Sequence, residues 1–486
     1  MEKKDSDTII YIEKELDEST HLFDKINISS DQPCLEWPEC CIYKVPKKLR
    51  KISEEAYTPK LISIGPFHHG GNEFEDMEKH KVRCFTDFLK RTGKSMEDLL
   101  EIIKVDEEKI SHCYSEEKIS HCYSEDCILG SDDHFVKMIL LDTIFIIELF
   151  LKVQDNEERE KEKDYILRKP WLLTGITHDL ILLENQVPYF ILEKLYKFAL
   201  NDSPSANHGE EGGKQIVKQD APNFLMLSRN FFEPYDKHKD SIIDTEVKHF
   251  TDLLRYFLCS GMIMKPNKGH LDSRICATKL EDAGLKFKVV GKNDRRLLLD
   301  IKFVMDPCLK NFPCFNSSWL LACLPCLKMF PRLERMQPIL EVPPIVIDDN
   351  TEVLFRNLIA LEQCHYPLQP YICNYADLLD NLIDNEKDVD LLVEKKIIVN
   401  NIGSNQRVAE LVNRLCLEIV VHDDQSCYSD IGQELNTYSD NHWNRIMAGM
   451  KSKFFCDFWR GAATTFAIFF TLDQLWGLVR PFVINK

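Results

Sequence analysis

Two adjacent histidines, His68 and His69, precede Gly70-Gly71, and Glu78-x-His80 adds another carboxylate and imidazole nearby. On paper such a cluster could hold a metal or pass a proton. The plainer reading is a Gly-containing turn whose polar side chains satisfy backbone groups. A second candidate is Glu184-Asn185-Gln186, which interrupts apolar runs ending at Leu183 and resuming at Val187. Glu184 and Asn185 could serve a reaction centre. More simply, the three polar groups form a buried knot that hydrogen-bonds the amides opening the helix after Pro188.

Other residues with chemical potential do not converge. Asp142 and Glu148 fall on different faces of one helix and do not form the carboxylate pair of a glycosidase. His112-Cys113 and His121-Cys122 are adjacent pairs that also point to different faces. Cys323-x-x-Cys326, with Cys308 and Cys314, invites a zinc reading, but the other pair lacks the two-residue spacing and bulky apolar residues surround it. No Walker loop, dinucleotide fingerprint, Gly-x-Ser-x-Gly elbow or His-Glu-x-x-His is present, so no cofactor is expected.

The elements that would position these groups are mostly helical. Apolar spacing predicts helices over Asp76–Arg91, Phe135–Leu151, Asp244–Cys259, Thr351–Gln363, Ala376–Ile383 and Val408–Val420. Trp171–Leu200 reads as two helices broken at Val187-Pro188. Cys41–His69, with its prolines, reads as extended chain and turns. Leu285–Val290 and Leu297–Phe303 read as a β-hairpin about Gly291–Asn293, and Leu340–Ile347 as an edge strand carrying Pro343 and Pro344. The expected fold is thus mainly α with a small β-hairpin or sheet element (α+β), plus a C-terminal hydrophobic helix. Residues 1–40 form a polar leader, 41–450 the globular body, 201–220 a disordered loop and 306–338 a Cys-rich insertion. Glu107–Ser115 recurs unchanged as Glu116–Ser124, too short a repeat for a solenoid.

The chain has 486 residues, 44% hydrophobic and 29% charged, an ordinary globular mixture able to bury a core. Its net charge of −18 argues against nucleic-acid binding, and the one short basic stretch, Lys44–Lys51, reads as a solvated loop. Met1–Glu18 has no apolar core of a signal peptide, so none is expected, and the 18 cysteines are expected to stay reduced.

Residues 461–479 carry a single charge, Asp473. At about 1.5 Å per residue the segment approaches the roughly 30 Å thickness of a bilayer core. Gly461, Phe466, Ile468, Phe469, Phe470, Leu472, Leu475, Trp476 and Val479 would form the membrane span, with Lys451, Lys453 and Arg460 on the cytosolic side. The alternative is an amphipathic last helix packed on the core.

Several ordered motifs carry a resemblance. They are Tyr43-x-Val45-Pro46-x-x-Leu49-Arg50, Ala56-Tyr57-x-Pro59, Ser63-Ile64-Gly65-Pro66-Phe67-His68-His69-Gly70 and Met77-Glu78-x-His80-Lys81. Next come Leu140-Leu141-Asp142, Phe145-Ile146-Ile147-Glu148 and Asp179 to Pro188, then Leu299-Asp300-Ile301 and Thr351 to Cys364. Together, over roughly residues 40–475, the chain resembles the plant family called domain of unknown function 247. The resemblance implies a land-plant protein with a C-terminal transmembrane helix and no established activity. Some members are associated with self-incompatibility in grasses, which implies recognition or signalling. The nine-residue duplication, the 306–338 insertion and a more polar terminal span depart from the family pattern.

Two function classes follow. The first is a single-pass membrane protein with a cytosolic body and an unknown protein partner, acting in recognition or signalling. The alternative is an uncharacterised enzyme, soluble or membrane-associated, with a site near His68/His69 and Glu184.

Overall fold

The computed structural model describes residues 38–115, 132–155, 164–201, 223–236, 243, 246–259, 276–290, 298–312, 316, 321, 337–420 and 426–454, with 466–467, 470–471 and 473–476 near the C-terminus. The chain divides into two units, Met1–Cys40 and Cys41–Lys486, and the architecture below is that of the second. The expected leader up to residue 37, the loop 202–220 and the second repeat copy lie outside the described residues.

Helices dominate. The first half carries α1 (Lys47–Ile52), α2 (Glu75–Thr92), α3 (Met96–Val105), α4 (Glu107–His112), α5 (Asp132–Gln154), α6 (Pro170–Leu180), α7 (Tyr189–Asn201), α8 (Phe224–Phe231) and α9 (Phe250–Cys259). The second carries α10 (Ala277–Asp282), α11 (Pro307–Asn311), α12 (Thr351–His365), α13 (Tyr371–Leu382), α14 (Glu386–Glu394), α15 (Asn405–Leu415), α16 (Ser429–Asp440) and α17 (His442–Phe454). α5 is the central helix: α2, α3, α7 and α8 pack around it. Its run from Ile144 to Phe150 is buried without a break, as a helix enclosed on every side must be. Phe150 stacks on Phe231 at 4.1 Å and lies 5.4 Å from Phe250, in an aromatic cluster that also takes in Phe224 and Phe232.

The helix break at Pro188 stands where the sequence places it, between α6 and α7. The helix expected from Asp244 begins later, at Phe250, because the chain before it is engaged elsewhere: the Lys248 carbonyl accepts from the Tyr189 amide at 2.7 Å. Lys44–Lys51 is not a solvated loop throughout, since α1 starts at Lys47 and buries Leu49.

The expected hairpin does not form. β1 (Lys286–Val289) and β2 (Lys302–Val304) never pair with each other; β3 (Ile339–Val342) lies between them, parallel to β1 and antiparallel to β2. β3 is therefore the central strand, not an edge. Pro343-Pro344, which lack amide donors, end it. The chain then enters a second sheet, where β4 (Ile345–Ile347) runs parallel to β5 (Ile398–Asn400). Within 306–338, the described Asn316 and Leu321 are buried, and Asn316 donates to Tyr438 and Asn444 at 3.0 Å each. Cys308 is exposed on α11, while Cys314, Cys323 and Cys326 lie outside the described residues.

The C-terminal hydrophobic helix is not supported as a continuous span. Among the described residues no helix is long and apolar enough to cross a membrane. Phe466, Phe470, Leu475 and Trp476 are helical and 56–74% exposed. Gly461, Ile468, Phe469, Leu472 and Val479 lie outside the described residues.

Candidate functional site

The segment Tyr43–Gly70, here called the strap, runs across the helical body with little regular structure of its own. Between Thr58 and Pro66 it is not hydrogen-bonded into a sheet, so its amides need other acceptors. Side chains from α5, α6 and the turn after α6 supply them. Asp179 accepts from the Lys60, Leu61 and Ile62 amides at 2.9, 2.6 and 2.8 Å. Asn185 accepts from the Ile64 amide at 2.7 Å and donates to the Ile62 carbonyl at 3.1 Å. Asp142 of α5 accepts from the Gly65 amide at 2.8 Å. A column of polar side chains thus takes the place of a neighbouring strand, while Ile62 and Ile64 bury their own side chains completely.

Glu184 is the hub of this arrangement. Its side chain is 2% exposed and accepts from the Val45 amide at 2.7 Å, from the Arg50 guanidinium, and from His68 Nε2 at 3.0 Å. Burial pushes this carboxyl up, but His68, Arg50 and the Val45 amide together hold it below the ordinary glutamate value. Gln186 completes the knot: it donates to the Leu180 and Leu182 carbonyls and accepts from the Phe250 amide at 2.9 Å. The expectation that the knot caps the helix after Pro188 is thereby corrected. Glu184 and Asn185 bind the strap more than a hundred residues upstream, and Gln186 caps α9 instead.

A second ion cluster lies under the strap. Lys81 of α2 is fully buried and donates to the Ser63 carbonyl, Glu78 and Asp142. Burial opposes its charge, yet Asp142 and Glu78 outweigh it and hold the ammonium above its ordinary value. Burial also raises Asp142, to about 6, against the pull of Lys81. Lys81 Nζ and Asp142 Oδ1 lie 2.6 Å apart. Glu148, further along α5, pairs with Arg91. The two α5 carboxylates lie about 9 Å apart along the helix axis and take separate cations from α2.

The candidate histidines part company. His68 joins Glu184, but His69 meets His134 edge-on at 5.2 Å and burial lowers its pKa. His80 stacks on Tyr165 at 4.3 Å. Among the described residues no group of three or more His, Cys, Asp or Glu is arranged to hold a metal. A His–carboxylate contact can in principle orient an imidazole as a base. Here the carboxylate is shared with Arg50 and a backbone amide, and all three contacts join the strap to the body.

Sequence reasoning missed Arg50, Lys81, Asp179 and Asn357 as partners in this network. Asn357 on α12 accepts from the Leu183 amide at 2.9 Å and donates to the Ala56 carbonyl at 2.8 Å, linking strap, knot and α12. Asp179 stands in the same motif as Glu184, which was the available signal. Arg50 offered little, because a surface arginine and a buried one look alike in a basic stretch. Elsewhere on α12, Glu362 accepts from Arg255 and from the Cys373 amide, both at 2.9 Å, while Arg255 lies 4.1 Å above the Tyr366 ring.

The motif residues therefore define a helical protein whose N-terminal strap is fixed by a buried polar network. The chain belongs to the plant protein family of unknown function DUF247, whose sequence model matches residues 42–472. It is similar to UPF0481 protein At3g47200 of Arabidopsis thaliana, with 29% identity over 90% of this chain and 85% of the relative. It is also similar to Putative UPF0481 protein At3g02645 of Arabidopsis thaliana, with 23% identity over 78% of each chain. No solved structure matches significantly.

Proposed function

We propose that this chain is a recognition or interaction protein whose folded body is held at a membrane by residues 461–479, with the body on the cytosolic side. The observation that carries the tether is the exposure of Phe466, Phe470, Leu475 and Trp476. Large aromatic and aliphatic side chains left in water favour a lipid interface, where Trp in particular accumulates. Asp473 is the one charge in 461–479, and Lys451, Lys453 and Arg460 precede it, as suits an anionic cytosolic leaflet. The role in recognition, through an unknown protein partner, is supported by the use of Glu184, Asn185, Asp179 and Asp142 in holding the chain to itself. Those groups are engaged with backbone and cations, and Glu184, the carboxylate of the enzyme reading, is committed to Arg50, His68 and the Val45 amide.

The test is extraction from plant-cell membranes with alkaline carbonate. An N-terminally tagged full chain is expected in the pellet, and a version ending at Arg460 in the supernatant. If both are released, the tether reading fails, and the exposed tail residues must meet a protein surface instead.

A further inference from the structure

Away from the strap, a cleft of about 530 Å³ opens between α6, the chain after α8, β4 and the start of α12. That volume falls within the range of small-molecule sites, which are mostly apolar with a few convergent polar groups. Leu173, Phe231, Leu258, Leu298, Ile345 and Phe355 form its apolar walls. The titratable groups of the lining are His178, Tyr235 and Asp348, accompanied by Thr174, Thr177, Asn350 and Thr351, and the Asp348 charge acts on both His178 and Tyr235.

Asp348 is the one formally charged side chain in the lining, apart from whatever charge His178 carries. Burial lowers His178, which favours its neutral form, although Asp348 opposes this. Burial, with Asp348 nearby, raises the Tyr235 phenol to about 12, so it stays protonated. Lys60 also acts on His178 from outside the cleft, and its ammonium lies 3.9 Å from Glu55.

The positive end of α12 would ordinarily invite an anion. The Asp348 carboxylate stands beside that end. Asp348 Oδ1 accepts from the Asn350 amide at 3.0 Å and from Thr351 Oγ1 at 2.9 Å. Oδ2 has no hydrogen-bond donor among the described residues, and neither the Tyr235 hydroxyl nor the His178 ring has a hydrogen-bond partner among them. A carboxylate oxygen, a phenol and an imidazole therefore line the same largely apolar cleft without bonding to one another.

We infer that this cleft is a binding site for a small amphipathic amine, its ammonium group on Asp348 and its apolar body between Leu173, Ile345 and Phe355. Tyr235 and neutral His178 accept further N–H donors of the head group. The net charge of −18 raises the local concentration of such cations over anions. This site is separate from the strap network and does not depend on the membrane tether.

The test is calorimetric titration of the purified full chain with 4-phenylbutylamine, 4-phenylbutanol and 4-phenylbutyrate. The amine is expected to bind saturably and at least about tenfold more tightly than the carboxylate. Asp348→Asn keeps an Oδ1 that accepts from the Asn350 amide and the Thr351 hydroxyl while removing the negative charge. It should bring the amine and carboxylate to within about threefold of each other. Val346, 44% exposed, also lines the cleft, so Val346→Trp narrows it without entering the core. It should abolish binding of all three compounds while leaving the melting temperature near that of the parent chain. Absence of saturable amine binding overturns the inference, as does equal binding of the carboxylate. Binding that survives Val346→Trp places the ligand elsewhere and overturns it too.

Discussion

Asp179→Ala isolates the contribution of side-chain acceptors to the strap. The substitution removes the acceptor of three successive amides. They are not equivalent: Ile62 is fully buried, Leu61 partly so, and Lys60 is exposed. A buried amide without an acceptor costs about 1–3 kcal/mol, whereas an exposed one turns to water at little cost. Ile62 thus contributes most of the loss, Leu61 a fraction and Lys60 little. Against this, burial raises the Asp179 pKa despite its three amides, so removing the carboxylate relieves some unfavourable desolvation. The net expectation is a loss of about 1–3 kcal/mol. Asp179→Asn retains one acceptor oxygen and should lose about half as much. Urea unfolding of both variants measures this as a shift in midpoint at unchanged slope. Faster proteolytic cleavage between Thr58 and Gly65 should accompany it. A loss below about 0.5 kcal/mol for Asp179→Ala, or a larger loss for Asn than for Ala, would refute the reasoning.

The Glu184 carboxyl is held below its ordinary value. Its stabilising contribution is therefore present above the unfolded value of about 4.5 and is lost as pH falls through the lower folded value. Melting temperatures from pH 7 to pH 3.5 should fall less steeply in Glu184→Gln than in the parent, although the variant starts lower. Asp179 has the opposite sign, its folded pKa being raised, so Asp179→Asn should not flatten that acid limb. Gly65 has φ +73°, and a Cβ there would lie 2.4 Å from the Gln186 carbonyl oxygen. Gly65→Ala should cost at least about 2 kcal/mol by urea unfolding, from the left-handed backbone and the clash together.

The helices were legible because their apolar periodicity is local. α5 and the break at Pro188 stand where periodicity and proline chemistry put them, and α12 begins at Thr351 as expected. The sheet was not legible for the opposite reason. Nothing within 285–303 reveals that Ile339–Val342 will come between β1 and β2, since that pairing is decided by packing across a long stretch of chain. α1, α3, α8, α10, α11, α14, α16 and α17 went unread, α14 despite a capping box at Asn385–Asp388. Glu184-Asn185-Gln186 could be recognised as a buried knot from polar groups between apolar runs. Their partners could not, because Val45, Ile64 and Phe250 are remote in sequence and contribute backbone amides, which every residue but proline carries. The cleft beside Asp348 left no sequence signal at all, as its walls come from α6, β4, α12 and the chain around α8 and α9.

The central claim is that the motif cluster serves to fix the strap, and native-state hydrogen exchange of the full chain tests it most directly. The Leu61, Ile62, Ile64 and Gly65 amides lie outside any regular element, yet each donates to a buried side chain. They should exchange as slowly as the α5 amides, by the same global opening, and Asp179→Ala should speed Leu61 and Ile62 selectively. Exchange of all four at the rate of exposed loops, with no response to Asp179→Ala, would show that the strap is not held by this network and would contradict the account.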